Sequence, residues 1–146
     1  MAIPDSFGTS SPEEFSALIA MLMNRVPNID QVAIAVHCHD DLGLAVENSL
    51  AALASGAKQI ECSINGLGAR KGNADLEKVV SAIAQCPNYK VDIDTSLLSA
   101  ASACLRSAIF RAIFEAPIIF PVSSLIGETL IETSINVPSF LSLFVS

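Results

Sequence analysis

The chain has 146 residues, 51% of them hydrophobic, which is enough apolar material for the core of one ordinary domain. A net charge of -7 and a pI near 4.6 exclude a basic surface for nucleic acid or anionic lipid. The four cysteines, Cys38, Cys62, Cys86 and Cys104, form no CxxC pair and no dense framework, so the expectation is reduced thiols in a cytoplasmic protein without a signal peptide.

Residues 1–8, MAIPDSFG, read as the end of a short buried strand running into a loop. Ser11, Pro12 and Glu14 then start a helix: Ser at the N-cap, Pro at the first helical position and Glu closing a capping box. Phe15, Leu18, Ile19, Leu22 and Met23 give that helix, residues 12–25, one apolar face. Residues 31–37 predict the next strand, and its nearly uninterrupted apolar run suits a parallel sheet covered on both sides. A helix over residues 44–54, ended by Gly56, and a strand over residues 58–64 follow. The glycine-rich loop NGLGARKGN, residues 65–73, leads into a helix over about residues 74–84. This alternation is the pattern of βα units around a parallel sheet.

After Pro87 the pattern changes. Asp94 or Thr95 is placed to cap a long helix through Phe114, with Pro117 as its stop. The most apolar region, residues 104–131, is broken by Arg106, Arg111, Glu115, Pro117, Pro121 and Glu128, so no membrane span is expected. Residues 118–146 have no clear period, and a loosely structured arm or packing segment is expected there.

The residues with the most chemistry stand in AIAVHCHDD, residues 33–41. His37 and His39, the two histidines of the chain, lie two apart on a strand end and so face one side, with Cys38 on the other. That spacing suits two ligands on one metal ion; the plainer reading is two polar residues at a strand terminus. Asn73 is the candidate for a third, oxygen contact, against a reading as turn residue or helix N-cap. Arg70 and Lys71 are placed either to meet a substrate carboxylate or phosphate or to stand as solvated loop charges. Asp40 and Asp41 either orient the imidazoles or favour the start of the next helix. The glycine spacing does not fit GxGxxG, which argues against a dinucleotide site. Asp5 and Ser6 form a further polar cluster at a strand end, where α/β proteins place their ligands.

Residues 37–73, HCHDDLGLAVENSLAALASGAKQIECSINGLGARKGN, closely resemble the segment of 2-isopropylmalate synthases that spans the last two strands of their (β/α)8 barrel. These enzymes belong to the wider pyruvate carboxyltransferase, or DRE-TIM metallolyase, group. IPDSFG, residues 3–8, is similar to the family's preceding strand end, IPDTVG. The resemblance covers about the first 85 residues and rests on HxHDDLG together with NGxGxRxGN. It implies an α/β fold, a partial TIM (β/α)8 barrel of about its last three βα units, followed by a helical C-terminal arm. Residues 1–88 would form the barrel part, and residues 89–146 the post-barrel helix with a poorly matching tail.

The resemblance further implies an acyltransferase of leucine biosynthesis. It condenses acetyl-CoA with a 2-oxo acid, 2-oxoisovalerate, at a divalent metal such as Mn, Mg or Zn; homocitrate and citramalate synthases share much of these motifs. By matching position, His37, His39 and Asn73 are metal ligands, Ser6 stands where the family has Thr near the substrate, and Arg70 matches the loop Arg. Ala69 replaces the family's usual Glu. The family's first strand, with its Asp ligand, is expected upstream of this sequence. The chain is therefore expected to be a barrel fragment, a catalytic piece or a metal-binding assembly module, that pairs with a second copy or a complementing fragment.

Overall fold

A computed structural model describes residues 1–114, 133–136 and 142–145. The first three strands are β1 (Ala2–Asp5), β2 (Ala35–Cys38) and β3 (Gln59–Cys62), and they alternate with the helices α1 (Pro12–Arg25), α2 (Ala45–Ala54) and α3 (Leu76–Ala84). Helix α1 starts as its sequence dictates: the Ser11 hydroxyl accepts from the Glu14 N–H, and the Glu14 carboxylate accepts from the Ser11 N–H, closing the capping box. Strands β1, β2 and β3 pair in parallel, with Val36 opposite Ile3 and Ile60, and His37 opposite Pro4 and Glu61. Pro4, which has no N–H to give, sits in β1, and a strand at the sheet margin accepts such a residue.

Alternation divides the strands into two faces. Val36, Cys38, Ile60 and Cys62 are fully buried under the helices, against Phe15 and Ile19 of α1, Ala52 and Leu53 of α2, and Val79, Val80 and Ile83 of α3. Ala35, His37, Gln59 and Glu61 share the opposite face. This is the arrangement of a partial (β/α)8 barrel, with the strand tips and their following loops at one end.

Several boundaries differ from expectation. Residues 29–31 make a 3-10 turn, so β2 begins at Ala35, where the ladder to Ala2 of β1 begins. Strand β3 ends at Cys62 because the Ser63 backbone turns to the next segment, its N–H donating to the Ala74 carbonyl and its carbonyl accepting from Leu76. Helix α3 starts at Leu76 and not near Ala74, since Asp75 is its N-cap and accepts from the Glu77 and Lys78 N–H groups. Asp94 caps the 3-10 turn Thr95–Leu97, which runs into α4 (Leu98–Phe114).

Of the two expectations for residues 118–146, a loosely structured arm or a packing segment, the second fits the described residues, which form two strands, β4 (Thr133–Asn136) and β5 (Ser142–Val145). Strand β5 pairs in parallel with β3, and β4 pairs antiparallel with β5, giving the order β1-β2-β3-β5-β4. The backbone groups along the β3 edge require partners, and an added strand supplies them. The expected helix stop at Pro117 lies outside the described residues. Among the described residues, no helix is long and apolar enough to cross a membrane.

Candidate metal centre

Strand β2 sets the site. Its alternation buries Cys38 on the helix side and puts His37 and His39 on the other, with ring centroids 4.9 Å apart and the rings 72° from coplanar. The glycine loop then returns alongside the strand exit. Asp40 N–H donates to the Gly72 carbonyl at 2.9 Å, Ala74 N–H donates to the Cys38 carbonyl at 3.2 Å, and His39 and Asn73 stand opposite each other in an antiparallel bridge. Bridged residues project to the same side of the ladder, so the Asn73 amide joins the imidazole side.

Two glycines make this return possible. Gly72 has φ +116°, and a Cβ there would fall 2.2 Å from the Gly66 carbonyl oxygen. At Gly68 a Cβ would meet the Asn73 side chain at 2.5–2.7 Å, so the absence of a side chain leaves the amide its place. Asn73, 7% exposed, donates from Nδ2 to the Leu67 carbonyl at 3.1 Å. Its Oδ1 is buried without a hydrogen-bond partner, and so is Nδ1 of His39. A buried polar atom without a partner costs about 1–3 kcal/mol, and an amide oxygen and an imidazole nitrogen across one bridge are the atom types of a cation site. Neither alternative reading of Asn73 holds: it is not a helix cap, which is Asp75, and it is not a free turn residue. Among the described residues, no three His, Cys, Asp or Glu side chains group to hold an ion, so a third ligand here would have to be another kind of group, such as the Asn73 amide.

The electrostatics favour a neutral His39. Burial, then the charges of His37 and Arg70, push the His39 imidazole below its ordinary pKa and so keep it in the form that binds metal. On the other face burial raises the Cys38 and Cys62 thiols to about 12, which makes them inert.

The structure assigns the remaining polar residues. Nδ1 of His37 lies 3.1 Å from the Glu61 carboxylate on β3, a partner that the sequence reading missed. Asp40 and Asp41 do not contact the imidazoles through hydrogen bonds: Asp40 accepts from the Ala45 N–H at the start of α2, and Asp41 takes the Arg70 guanidinium in a two-point pair at 2.8 and 2.9 Å. Arg70 also donates to the Ser6 carbonyl at 2.7 Å, so one side chain ties together the loops after β1, β2 and β3. These bonds offset the strain of its left-handed backbone, φ +56°. Asp5 is separated from Ser6. Its carboxylate is on the helix side, accepting from Asn48 and from the Ser10 N–H, both at 3.3 Å, whereas Ser6 is exposed in the loop. Asn65 joins the loop after β3 to α4: its Nδ2 donates to the Ser102 carbonyl, and its Oδ1 accepts from the Ser102 hydroxyl and from Arg106.

The model of the HMGL-like family matches residues 1–105. The 2-isopropylmalate synthase of Aquifex aeolicus is 55% identical over 95 residues, which make up 65% of this chain and 18% of that protein. That of Ruminiclostridium cellulolyticum is 52% identical over 108 residues, 72% of this chain and 21% of that protein. The chain therefore spans about a fifth of the length of these relatives. Among solved structures, the HMG-CoA lyase of Bacillus subtilis superposes with a TM-score of 0.63 at 26% identity, covering 73% of this chain and 37% of that one. The HMG-CoA lyase of Brucella melitensis gives 0.62 at 24% identity, covering 73% and 38%, a likeness of fold.

Proposed function

Because the chain belongs to the HMGL-like family, we propose that it supplies part of the catalytic barrel of a 2-isopropylmalate synthase-like acyltransferase, one that condenses acetyl-CoA with 2-oxoisovalerate in leucine biosynthesis. Residues 1–88 form the barrel part and residues 89–146 a post-barrel extension. His37, His39 and Asn73 hold a divalent cation, Mn, Mg or Zn. The single observation that supports this most is the pairing of an unpartnered Asn73 Oδ1 with an unpartnered His39 Nδ1 across one bridge. Bound there, the ion would act as a Lewis acid on the carbonyl of a 2-oxo acid.

The chain's own residues do the positioning. The neutral imidazole of His39 and the amide of Asn73 are fixed by the loop return before any ligand arrives, which lowers the cost of ordering them. Arg70 is held over the strand tips by Asp41, and with Ser6 it forms the proposed contact for the substrate carboxylate. The protein is proposed to be cytoplasmic, and β1 is the proposed surface for pairing with a second copy or a complementing barrel segment.

A second reading, a metal-binding barrel segment without turnover, is favoured by coverage: the chain spans about a fifth of the length of its synthase relatives, and the Asp ligand that the resemblance implies is not in the segment it matches. One experiment separates the two. The chain is titrated with Mn2+ and then given acetyl-CoA and 2-oxoisovalerate while free thiol is followed. Thiol release that disappears in His37→Ala supports the synthase. One equivalent of metal without thiol release supports the second reading, and no metal binding overturns both.

A further inference from the structure

We infer that Glu61 is a positioning residue for the metal centre: its carboxylate, bonded to Nδ1 of His37, fixes that imidazole in the Nδ1–H tautomer and leaves Nε2 as its ligating atom. The inference rests on the metal-centre reading above and deepens it.

Three observations carry it. His37 and Glu61 are register partners on adjacent parallel strands, so the pleat sends both side chains to one face without any adjustment of loops. The Nδ1–Oε2 distance is 3.1 Å, within hydrogen-bond range. A carboxylate only accepts, so Nδ1 carries the proton, and in the neutral ring the lone pair is then on Nε2. A neutral imidazole in water prefers the opposite tautomer, with the proton on Nε2 and its lone pair on Nδ1. Without Glu61, the ring would present the wrong nitrogen or rotate to present the right one.

The two imidazoles are therefore prepared differently. His37 is oriented by a carboxylate from the neighbouring strand, whereas Nδ1 of His39 has no hydrogen-bond partner. A plain structural role fits the pair poorly. Both side chains are about a quarter exposed, at 23% and 28%, and a partly solvated polar pair, charged or neutral, adds little to stability. A carboxylate behind a ligating histidine acts on the ligand itself, and loss of such a partner reduces metal affinity about 10–100-fold.

The test uses the full chain, Co2+ alone as the probe, and two readouts: cobalt affinity from its visible absorption, and the His37 tautomer from long-range 1H–15N spectra of the metal-free protein. Glu61→Leu should shift the His37 proton towards Nε2 and weaken cobalt binding about 10–100-fold. Glu61→Gln, whose amide oxygen still accepts from Nδ1–H, should keep the tautomer and restore most of the affinity. Equal losses in Glu61→Gln and Glu61→Leu overturn the inference, because they would make the carboxylate a direct ligand. Wild-type tautomer and affinity in Glu61→Leu, with cobalt binding still lost in His37→Ala, overturn the inference and leave the metal reading standing. Cobalt binding unchanged in His37→Ala overturns the metal reading, and with it the ligating role of Nε2.

Discussion

The two faces of β2 and β3 differ by one residue of register and by everything in their chemistry. Towards the helices, Val36, Cys38, Ile60 and Cys62 are fully buried, and their thiols are shifted so far up that they behave as apolar groups. Towards the strand tips, His37, His39 and Glu61 keep partial access to solvent. The same short strands thus serve as the core of the fold and as the platform of the site. Stability should reside on one face and ligand binding on the other, because side chains of a strand alternate strictly.

The largest test of that division is Ile60→Ala, which removes a fully buried side chain from the helix face. It should cost about 2–5 kcal/mol in urea unfolding, a large part of the stability of a small domain. Its counterpart, His39→Ala on the tip face, should leave the urea midpoint nearly unchanged and reduce Mn2+ affinity at least about 100-fold, or roughly 2.8 kcal/mol of binding. If His39→Ala destabilises as much as Ile60→Ala, the division is wrong.

Gly68→Ala sharpens the comparison within the site. Its Cβ would press on the Asn73 side chain at 2.5–2.7 Å, so the amide should shift and Mn2+ affinity should fall about tenfold, with the fold retained in circular dichroism. The smallest effect is on reactivity alone. At pH 8 a thiol reagent should modify the exposed Cys86 and Cys104 in the native chain and reach Cys38 and Cys62 only after unfolding. The signs follow from burial: thiols raised to about 12 hold no appreciable thiolate at that pH, and thiolate is the reactive form. Rapid native labelling at Cys38 would show that the helix face opens.

The parts of this fold that were legible in the sequence are those set by local chemistry. The Ser11 and Glu14 capping box, the apolar face of α1 and the strand–helix alternation need only neighbours within a few residues. The opposed directions of Cys38 and the two histidines follow from the strand pleat. Glu61 was not legible as the partner of His37. Its place in the alternation gave its face, but the register between β2 and β3, which puts it beside His37, belongs to the pairing of two segments 24 residues apart. The Asp41–Arg70 pair joins two loops in the same way, and the strands within residues 118–146 carry no periodicity that announces a pairing with β3.

By itself, then, the sequence determined which stretches become helix or strand, which way alternate side chains turn, and that two imidazoles share one side. The tertiary structure alone decided that Asn73 lies opposite His39, that Glu61 stands behind His37, and that Arg70 fastens three loops. The reason is physical: capping and pleat act over a few bonds, whereas these contacts exist only once distant segments have been fixed in register by backbone ladders and a shared core.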